Sequence, residues 1–242
     1  AKNLYMDGNL VTDLTLPSSV RSIPAYAFYG CEKIASVTIP SGVSTIGIWA
    51  FRGCTALKNL TLEDGGTLTL EYNGFSHRPF QENPIETLYL GRAVAKQCFV
   101  DDLASLKKLT VGNNITGFEE EYFENCKSLQ EVHISNLSAW CRINFTDSLS
   151  NPLSRAHKLY MDGSLLTDLA IPSGISSVNP YAFYGGECFT SLSLHDGVTD
   201  MGDYAFYGCS GLSSLDLPAG VSTINRFVFA GCSNIEAVTI PV

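Results

Sequence analysis

An aromatic-glycine-cysteine run returns along this chain at a fixed interval, and the interval limits what the chain can fold into. Ala27-Phe28-Tyr29-Gly30-Cys31 comes back as Ala50-Phe51-Arg52-Gly53-Cys54, Ala205-Phe206-Tyr207-Gly208-Cys209 and Val228-Phe229-Ala230-Gly231-Cys232, with Tyr122-Phe123-Glu124-Asn125-Cys126 as a variant. Phe28 to Phe51 is 23 residues, as are Phe183 to Phe206 and Phe206 to Phe229. Phe75, Phe99 and Phe123 extend the ladder at intervals of 24. Such a period marks stacked supersecondary units, none of which can bury an apolar face alone, so the chain is expected as a solenoid whose stability is a sum of neighbour interfaces.

A second marker shares the period. Ten short segments alternate apolar and polar residues, at Leu14-Leu16, Val37-Ile39, Leu60-Leu62, Leu88-Leu90, Leu109-Val111, Val132-Ile134, Leu169-Ile171, Leu192-Leu194, Leu215-Leu217 and Val238-Ile240. Alternation with period two predicts strands with one buried face. The residue between the apolar pair is often Thr (Thr15, Thr38, Thr61, Thr110, Thr239), which suits a solvated strand position. After the strand comes Pro40-Ser41-Gly42-Val43-Ser44-Thr45-Ile46, with relatives at 172–178 and 218–224. Pro and Gly turn the chain there, and Val43 and Ile46 return to the core. Ala50 to Gly53 is too short for a stable helix and is expected as one helical turn.

Residues 1–30 also align with 156–185 at an offset of 155, with 18 identities in 30. Both blocks carry an Asp-Gly hairpin signal suited to a type I′ turn, at Tyr5-Met6-Asp7-Gly8 and Tyr160-Met161-Asp162-Gly163. The period breaks between Leu137 and Ser154, which predicts an irregular insertion at 137–158. Because both flanks share one repeat, residues 1–242 are expected as a single solenoid domain, with a hinge near 137–158 as the alternative.

Several segments resemble the BspA-type leucine-rich-repeat proteins. They are Val37 to Ile46, the Ala-Phe-x-Gly-Cys runs, Leu159 to Gly163 leading into Ile171-Pro172, Ala139-Trp140-Cys141-Arg142-Ile143-Asn144-Phe145, and Asn83 to Arg92. Together they reach over nearly the whole chain. The resemblance implies a mainly β, right-handed leucine-rich-repeat solenoid of about ten coils of roughly 23 residues with short helical turns. It also implies a bacterial or protist protein that is secreted or held at the cell surface, with adhesion to host proteins among some members. It carries no catalytic motif. Phe75 to Phe99 departs from the pattern by an insertion near Ser76 to Glu82 and a shortening after Gly91, which puts the local strand register in doubt.

The remaining chemistry is mostly exclusion. The net charge of −9 and pI of about 4.8 argue against a nucleic-acid partner, since the chain would repel a phosphate backbone. No apolar run reaches the roughly 18 residues of a membrane span. Five of the eight cysteines (Cys31, Cys54, Cys126, Cys209, Cys232) share one repeat position, whereas Cys98, Cys141 and Cys188 do not. This is neither a zinc pattern nor a redox pair, and in-register side chains point the same way. Cys31, Cys54, Cys209 and Cys232 are therefore expected as buried, unbridged thiols acting as small hydrophobes. His77, His133, His157 and His195 are scattered, and no nucleophile, phosphate or metal motif accompanies them, so neither enzyme activity nor a cofactor is expected. Asp101-Asp102 and Glu119-Glu120-Glu121 read as solvated faces. Asn59, Asn114, Asn136 and Asn144 open Asn-x-Ser/Thr sequons, which matter only in a glycosylating source.

The aromatic residues flanking the ladder are the candidate binding residues. Tyr26, Trp49, Tyr181, Tyr204 and Phe227 precede the ladder phenylalanine by two, and Tyr29, Tyr184 and Tyr207 follow it by one. Residues three apart on a helical turn share a face, so these rings are expected as stripes along the solenoid. One reading is stacking that seals the coil surface. The other is a platform for a protein or glycan of a host or neighbouring cell, and it expects at least three of Tyr26, Trp49, Tyr181 and Tyr204 to keep substantial exposure. A binding module on the platform reading and a structural spacer on the sealing reading are the two functions left open. The sequence also stops just after a strand-Pro signal with no polar cap, which reads as a fragment of a longer chain whose apolar end can associate.

Overall fold

Alternation along each strand sends every second side chain inward, and the repeat brings the next strand to the same place one coil later. The computed structural model describes residues 2–74, 77–95 and 103–240. They divide between two compact units, residues 1–115 with 124–129 and residues 116–123 with 130–242. Each unit is a stack of leucine-rich-repeat coils, mainly β, and all ten expected strands form. The segment 137–158 lies wholly within the second unit.

In the first unit Asp13–Thr15, Ser36–Ile39, Asn59–Leu62, Thr87–Leu90 and Lys108–Val111 pair in parallel in chain order. Leu14, Val37, Leu60, Leu88 and Leu109 stand in register and are buried. The register survives the irregular stretch: Leu62 pairs with Leu90 and Leu90 with Val111. A shorter parallel sheet of Ser22–Ile23, Thr45–Ile46 and Thr69–Leu70 adds Ile23, Ile46 and Leu70 to the core. In the second unit Glu131–Ile134 pairs in parallel with Leu159–Met161, Asp168–Ala170 with Ser191–Ser193, and Ser214–Asp216 with Ala237–Thr239. Its shorter sheet joins Ser177–Val178, Asp200–Met201 and Thr223–Ile224.

Both Asp-Gly hairpins are present, Tyr5–Met6 with Asn9–Leu10 and Leu159–Met161 with Ser164–Leu165. Asp7 and Gly8 have φ of 50° and 80°, and Asp162 and Gly163 have 50° and 83°. Positive φ at both central residues is what a type I′ turn requires.

The ladder phenylalanines stack face to face. Phe51 lies between Phe28 and Phe80, with ring centroids at 4.9 and 5.2 Å, and Phe206 between Phe183 and Phe229 at 5.3 and 5.4 Å. The rung after Phe51 is thus Phe80. Phe75, to which the spacing pointed, lies outside the described residues, as does Phe99. The insertion lengthens that coil, and the chain compensates by using a later phenylalanine.

The expected helical turn is a run of tight turns instead. Ala27, Tyr29 and Cys31 donate their N–H three residues back, to Pro24, Tyr26 and Phe28. The intervening N–H groups of Tyr26, Phe28 and Gly30 donate across to Ile48, Ala50 and Arg52 at 3.0, 2.7 and 2.8 Å. Alternate donors therefore serve the neighbouring coil, as they would in a sheet, because a lone helical turn leaves its amides without partners.

The seven described cysteines are free; Cys98 lies outside the described residues. The repeat position has a polar reason to be Cys. The thiols of Cys54, Cys209 and Cys232 donate to the carbonyls of Phe28, Phe183 and Phe206 at 3.2–3.3 Å. Burial pushes the Cys54 and Cys141 thiols up to about 12. Cys31, Cys54 and Cys209 are buried as expected, but Cys232 is only half-buried, as no later described coil covers it.

Where the repeat is broken, polar side chains replace the missing rungs. In the second unit, helices α1 (Leu137–Cys141) and α2 (Leu153–Ala156) occupy the irregular stretch. Phe123 donates its N–H to Leu149, so buried Ser150 takes the ladder position of a phenylalanine. Buried Trp140 and Asn151 then satisfy the next coil: the Trp140 indole donates to the Ala182 carbonyl at 2.8 Å, and the Asn151 amide to Tyr181 and Ala182 at 2.6 and 3.0 Å. In the first unit, Arg92 is 1% exposed, and its guanidinium donates to the carbonyls of Ile39, Pro40, Ser41 and Val43.

Candidate functional site

The turn run that carries each ladder phenylalanine also fixes the ring two residues before it. Tyr26, Trp49, Tyr181, Tyr204 and Phe227 have φ of 61°, 54°, 58°, 59° and 55°. This left-handed conformation is uncommon for a bulky L-residue and costs about 1–2 kcal/mol at each. The structure around them enforces it. Tyr26, Tyr181 and Tyr204 donate their N–H to the following coil at 2.9–3.0 Å. Two residues before Trp49 and Tyr204, Gly47 and Gly202 pass so close to the preceding coil that a Cβ would lie 2.4 and 2.5 Å from the nitrogens of Ala25 and Pro180. At these two corners the close approach requires glycine, and the left-handed residue follows next but one.

In the first unit the candidates form an irregular cluster. Tyr26 meets Trp49 edge-on at 5.6 Å and Tyr29 at 6.0 Å. His77 stacks on the Trp49 ring at 4.4 Å, and the Arg52 guanidinium lies over it at 4.3 Å. The Trp49 indole donates to Gln81, and Glu82 holds Arg52 through two of its nitrogens. Tyr26 is 53% exposed and Tyr29 36%, while Trp49 is half-buried. Sequence reasoning missed His77, Gln81 and Glu82, which sit in the insertion; once Phe80 is the rung, Gln81 and Glu82 take the places of Arg52 and Gly53.

In the second unit the candidates form a regular grid. Tyr181 stacks on Tyr204 at 5.1 Å and 5°, and Tyr184 on Tyr207 at 4.9 Å and 7°. Within each coil the two rings are tilted, Tyr181 to Tyr184 by 49° and Tyr204 to Tyr207 by 56°. Phe227 extends the first column at 5.1 Å from Tyr204, whereas the second ends at Tyr207 because Ala230 takes the next position. All four tyrosines are half-buried. Burial, then the Tyr204 hydroxyl and the Asp147 and Asp203 carboxylates, push the Tyr181 phenol above its ordinary value. Burial and the Tyr207 hydroxyl push Tyr184 up, against a hydrogen bond from Ser148.

The expectation of exposed rings therefore holds for Tyr26 alone of its four residues; Trp49, Tyr181 and Tyr204 are half-buried because their neighbours cover their faces. The flanking residues form the expected stripes in the second unit and a cluster in the first. Glu119 and Glu120 are exposed as expected, Glu121 is half-buried, and Asp101-Asp102 lie outside the described residues. The four sequon asparagines are exposed, and the Asn136 side chain caps α1 by accepting from the Ala139 N–H at 3.0 Å. Among the described residues no group of three or more His, Cys, Asp or Glu is arranged to hold a metal ion, and no helix is long and apolar enough to cross a membrane.

The sequence matches the model of the BspA type leucine rich repeat region, in six copies, over residues 1–130, 92–150 and 156–242. No curated protein matches it in sequence. Among solved structures, a leucine-rich repeat protein from Bacteroides ovatus is 18% identical over 100% of this chain and 87% of its own, with a TM-score of 0.29. A leucine rich cell surface protein from Faecalibacterium prausnitzii is 22% identical over 95% and 73%, with a TM-score of 0.35. An internalin from Listeria monocytogenes is 12% identical over 88% and 75%, with a TM-score of 0.34.

Proposed function

The chain belongs to the BspA-type leucine-rich-repeat family, and from that membership we propose that it is a non-catalytic binding module, secreted or held at the cell surface, that recognises a protein or glycan of a host or neighbouring cell. The observation that carries the reading is the register of the aromatic stripes. At Tyr26, Trp49, Tyr181, Tyr204 and Phe227 the chain spends about 1–2 kcal/mol of backbone strain and places a ring beside its neighbours, whereas the same left-handed position in the Phe123 coil holds Glu121. Inward burial does not account for that placement, since the rings remain half-exposed while the ladder phenylalanines already fill the core. Tyr and Trp are the residue types that dominate binding hot spots. A repeat surface of this kind suits an extended macromolecule better than a small substrate.

The spacer reading has its own support: the stacked tyrosines cover one another's faces, as rings that seal a coil surface would. A binding array of host matrix proteins and glycans separates the two. The module reading expects binding at micromolar levels or better, weakened by Trp49→Ala or Tyr204→Ala. No binding across the array favours the spacer, and binding indifferent to both substitutions moves the contact to another surface.

A further inference from the structure

The two units carry very different charge. The first has eleven acidic and eleven basic side chains, whereas the second has thirteen acidic and four basic, so the whole net charge of −9 belongs to the second. Two of those four bases are already engaged. Arg226 pairs with Asp203 through two of its nitrogens, and the Arg142 guanidinium donates to the carbonyls of Ser138 and Gly174.

The first unit shows what these aromatic stripes accept. Its own cations lie on its rings, with Arg52 at 4.3 Å over Trp49 and the Lys2 ammonium at 5.8 Å over Tyr29. Both distances are within cation–π range. In the second unit the positions equivalent to Arg52 hold Tyr184, Tyr207 and Ala230. Among its described residues that unit supplies the rings without a cation on their faces; its Arg226 lies near the Tyr181 and Tyr204 hydroxyls but is held by Asp203. Ala230 also ends the column at Tyr207, so the last ring has no aromatic partner on that side.

Resting on the binding reading above, we infer that the tyrosine grid of the second unit is the docking surface for a basic polypeptide segment. The partner's arginine or lysine side chains take the role on Tyr207 and its neighbours that Arg52 and Lys2 take on the rings of the first unit. The acidic charge of the second unit draws such a segment in, and the tyrosines give it a defined seat. Asp147 brings that charge to the grid itself, as its effect on Tyr181 shows, while the Asp203 carboxylate is held by Arg226. A nucleic acid is repelled by the same charge, and a neutral glycan gains nothing from it.

The test uses the full chain and three labelled peptides of equal length, one of alternating Arg and Gly, one Ser and Gly, one Glu and Gly, with affinity read by fluorescence anisotropy. The Arg peptide is expected to bind, more weakly by about tenfold when salt rises from about 0.05 to 0.5 M, while the other two stay unbound. Tyr207→Ala should weaken the Arg peptide by about tenfold, and Tyr5→Ala, at an exposed ring on the first unit's hairpin, should leave it unchanged. Hydroxyl-radical footprinting of the unsubstituted chain makes the result independent of variant folding: the Arg peptide should protect Tyr184 and Tyr207 and leave Tyr26 and Tyr29 unprotected. Equal binding of the Ser peptide overturns the inference, as does Arg-peptide binding that ignores Tyr207 and leaves the grid unprotected, which is diffuse attraction. A matrix protein or glycan bound through Tyr207 with no salt dependence overturns the inference but leaves the binding reading standing. If neither the peptides nor the array bind, both fall.

Discussion

Tyr204 offers a direct test of the idea that backbone strain positions the aromatic stripe. Its φ is 59°, and its ring is stacked between Tyr181 and Phe227, each at 5.1 Å. Tyr204→Ala removes the ring and keeps a Cβ in the left-handed region. The two lost stacking contacts are worth about 0.5–1.5 kcal/mol each beyond the buried area, so a total cost of about 2–4 kcal/mol is expected. Tyr204→Gly loses the same ring but releases the strain of about 1–2 kcal/mol. Glycine is ordinarily about 0.5–1 kcal/mol worse than alanine within regular structure, so here the order should invert, with the Gly variant more stable than the Ala variant by up to about 1 kcal/mol. Tyr207 is the control: it lies on the same turn without a positive φ, and at that position Ala should be the more stable of the two. The assay is the urea midpoint of all four variants at constant m-value. If Tyr204→Gly proves less stable than Tyr204→Ala, the ring is not held by an enforced left-handed backbone and the argument for a constrained stripe fails.

Three further outcomes are expected. Phe51→Ala should cost about 3–5 kcal/mol, because Phe51 is fully buried between two stacked rings; an effect under about 1 kcal/mol in urea unfolding would mean that the ladder does not carry the core. Arg92→Met should destabilise the chain strongly, and Arg92→Lys should rescue it poorly, since only the guanidinium fork can serve four carbonyls at once; a neutral Arg92→Met in thermal unfolding would refute that role. The thiols set an alkaline limit. Cys54 and Cys141 keep their protons in the fold up to about 12 while the unfolded chain loses them near 9.0, so the folded state binds more protons in that window and stability falls as pH rises through it. The urea midpoint should decline from pH 9 upward, and the double substitution Cys54→Ala with Cys141→Ala should flatten the decline.

The repeat was legible in the sequence because each coil states its rules locally. Period-two alternation fixed the ten strands and the buried faces of all but the last, whose Val238 and Ile240 are exposed; Asp-Gly fixed the two type I′ hairpins, and the recurring Cys marked Cys31, Cys54 and Cys209 as core thiols while missing buried Cys141. These follow from short-range sterics and side-chain direction, which need no knowledge of the partner coil. What lay beyond the sequence depended on atoms brought together across coils. The ladder passed to Phe80 because stacking selects a ring by its position in space, and a coil lengthened by insertion changes which ring that is. The turn run could not be a helix once its alternate amides found carbonyls in the next coil. Trp140, Asn151 and Arg92 became structural because broken repeats leave buried carbonyls that need donors. The aromatic stripes were visible as a spacing, but their half-burial and the left-handed backbone beneath them were decided by neighbouring rings and by the close approach of coils at Gly47 and Gly202. Period and pattern thus determine the coil, while the packing of one coil on the next determines which groups are satisfied inside and which remain at the surface to bind.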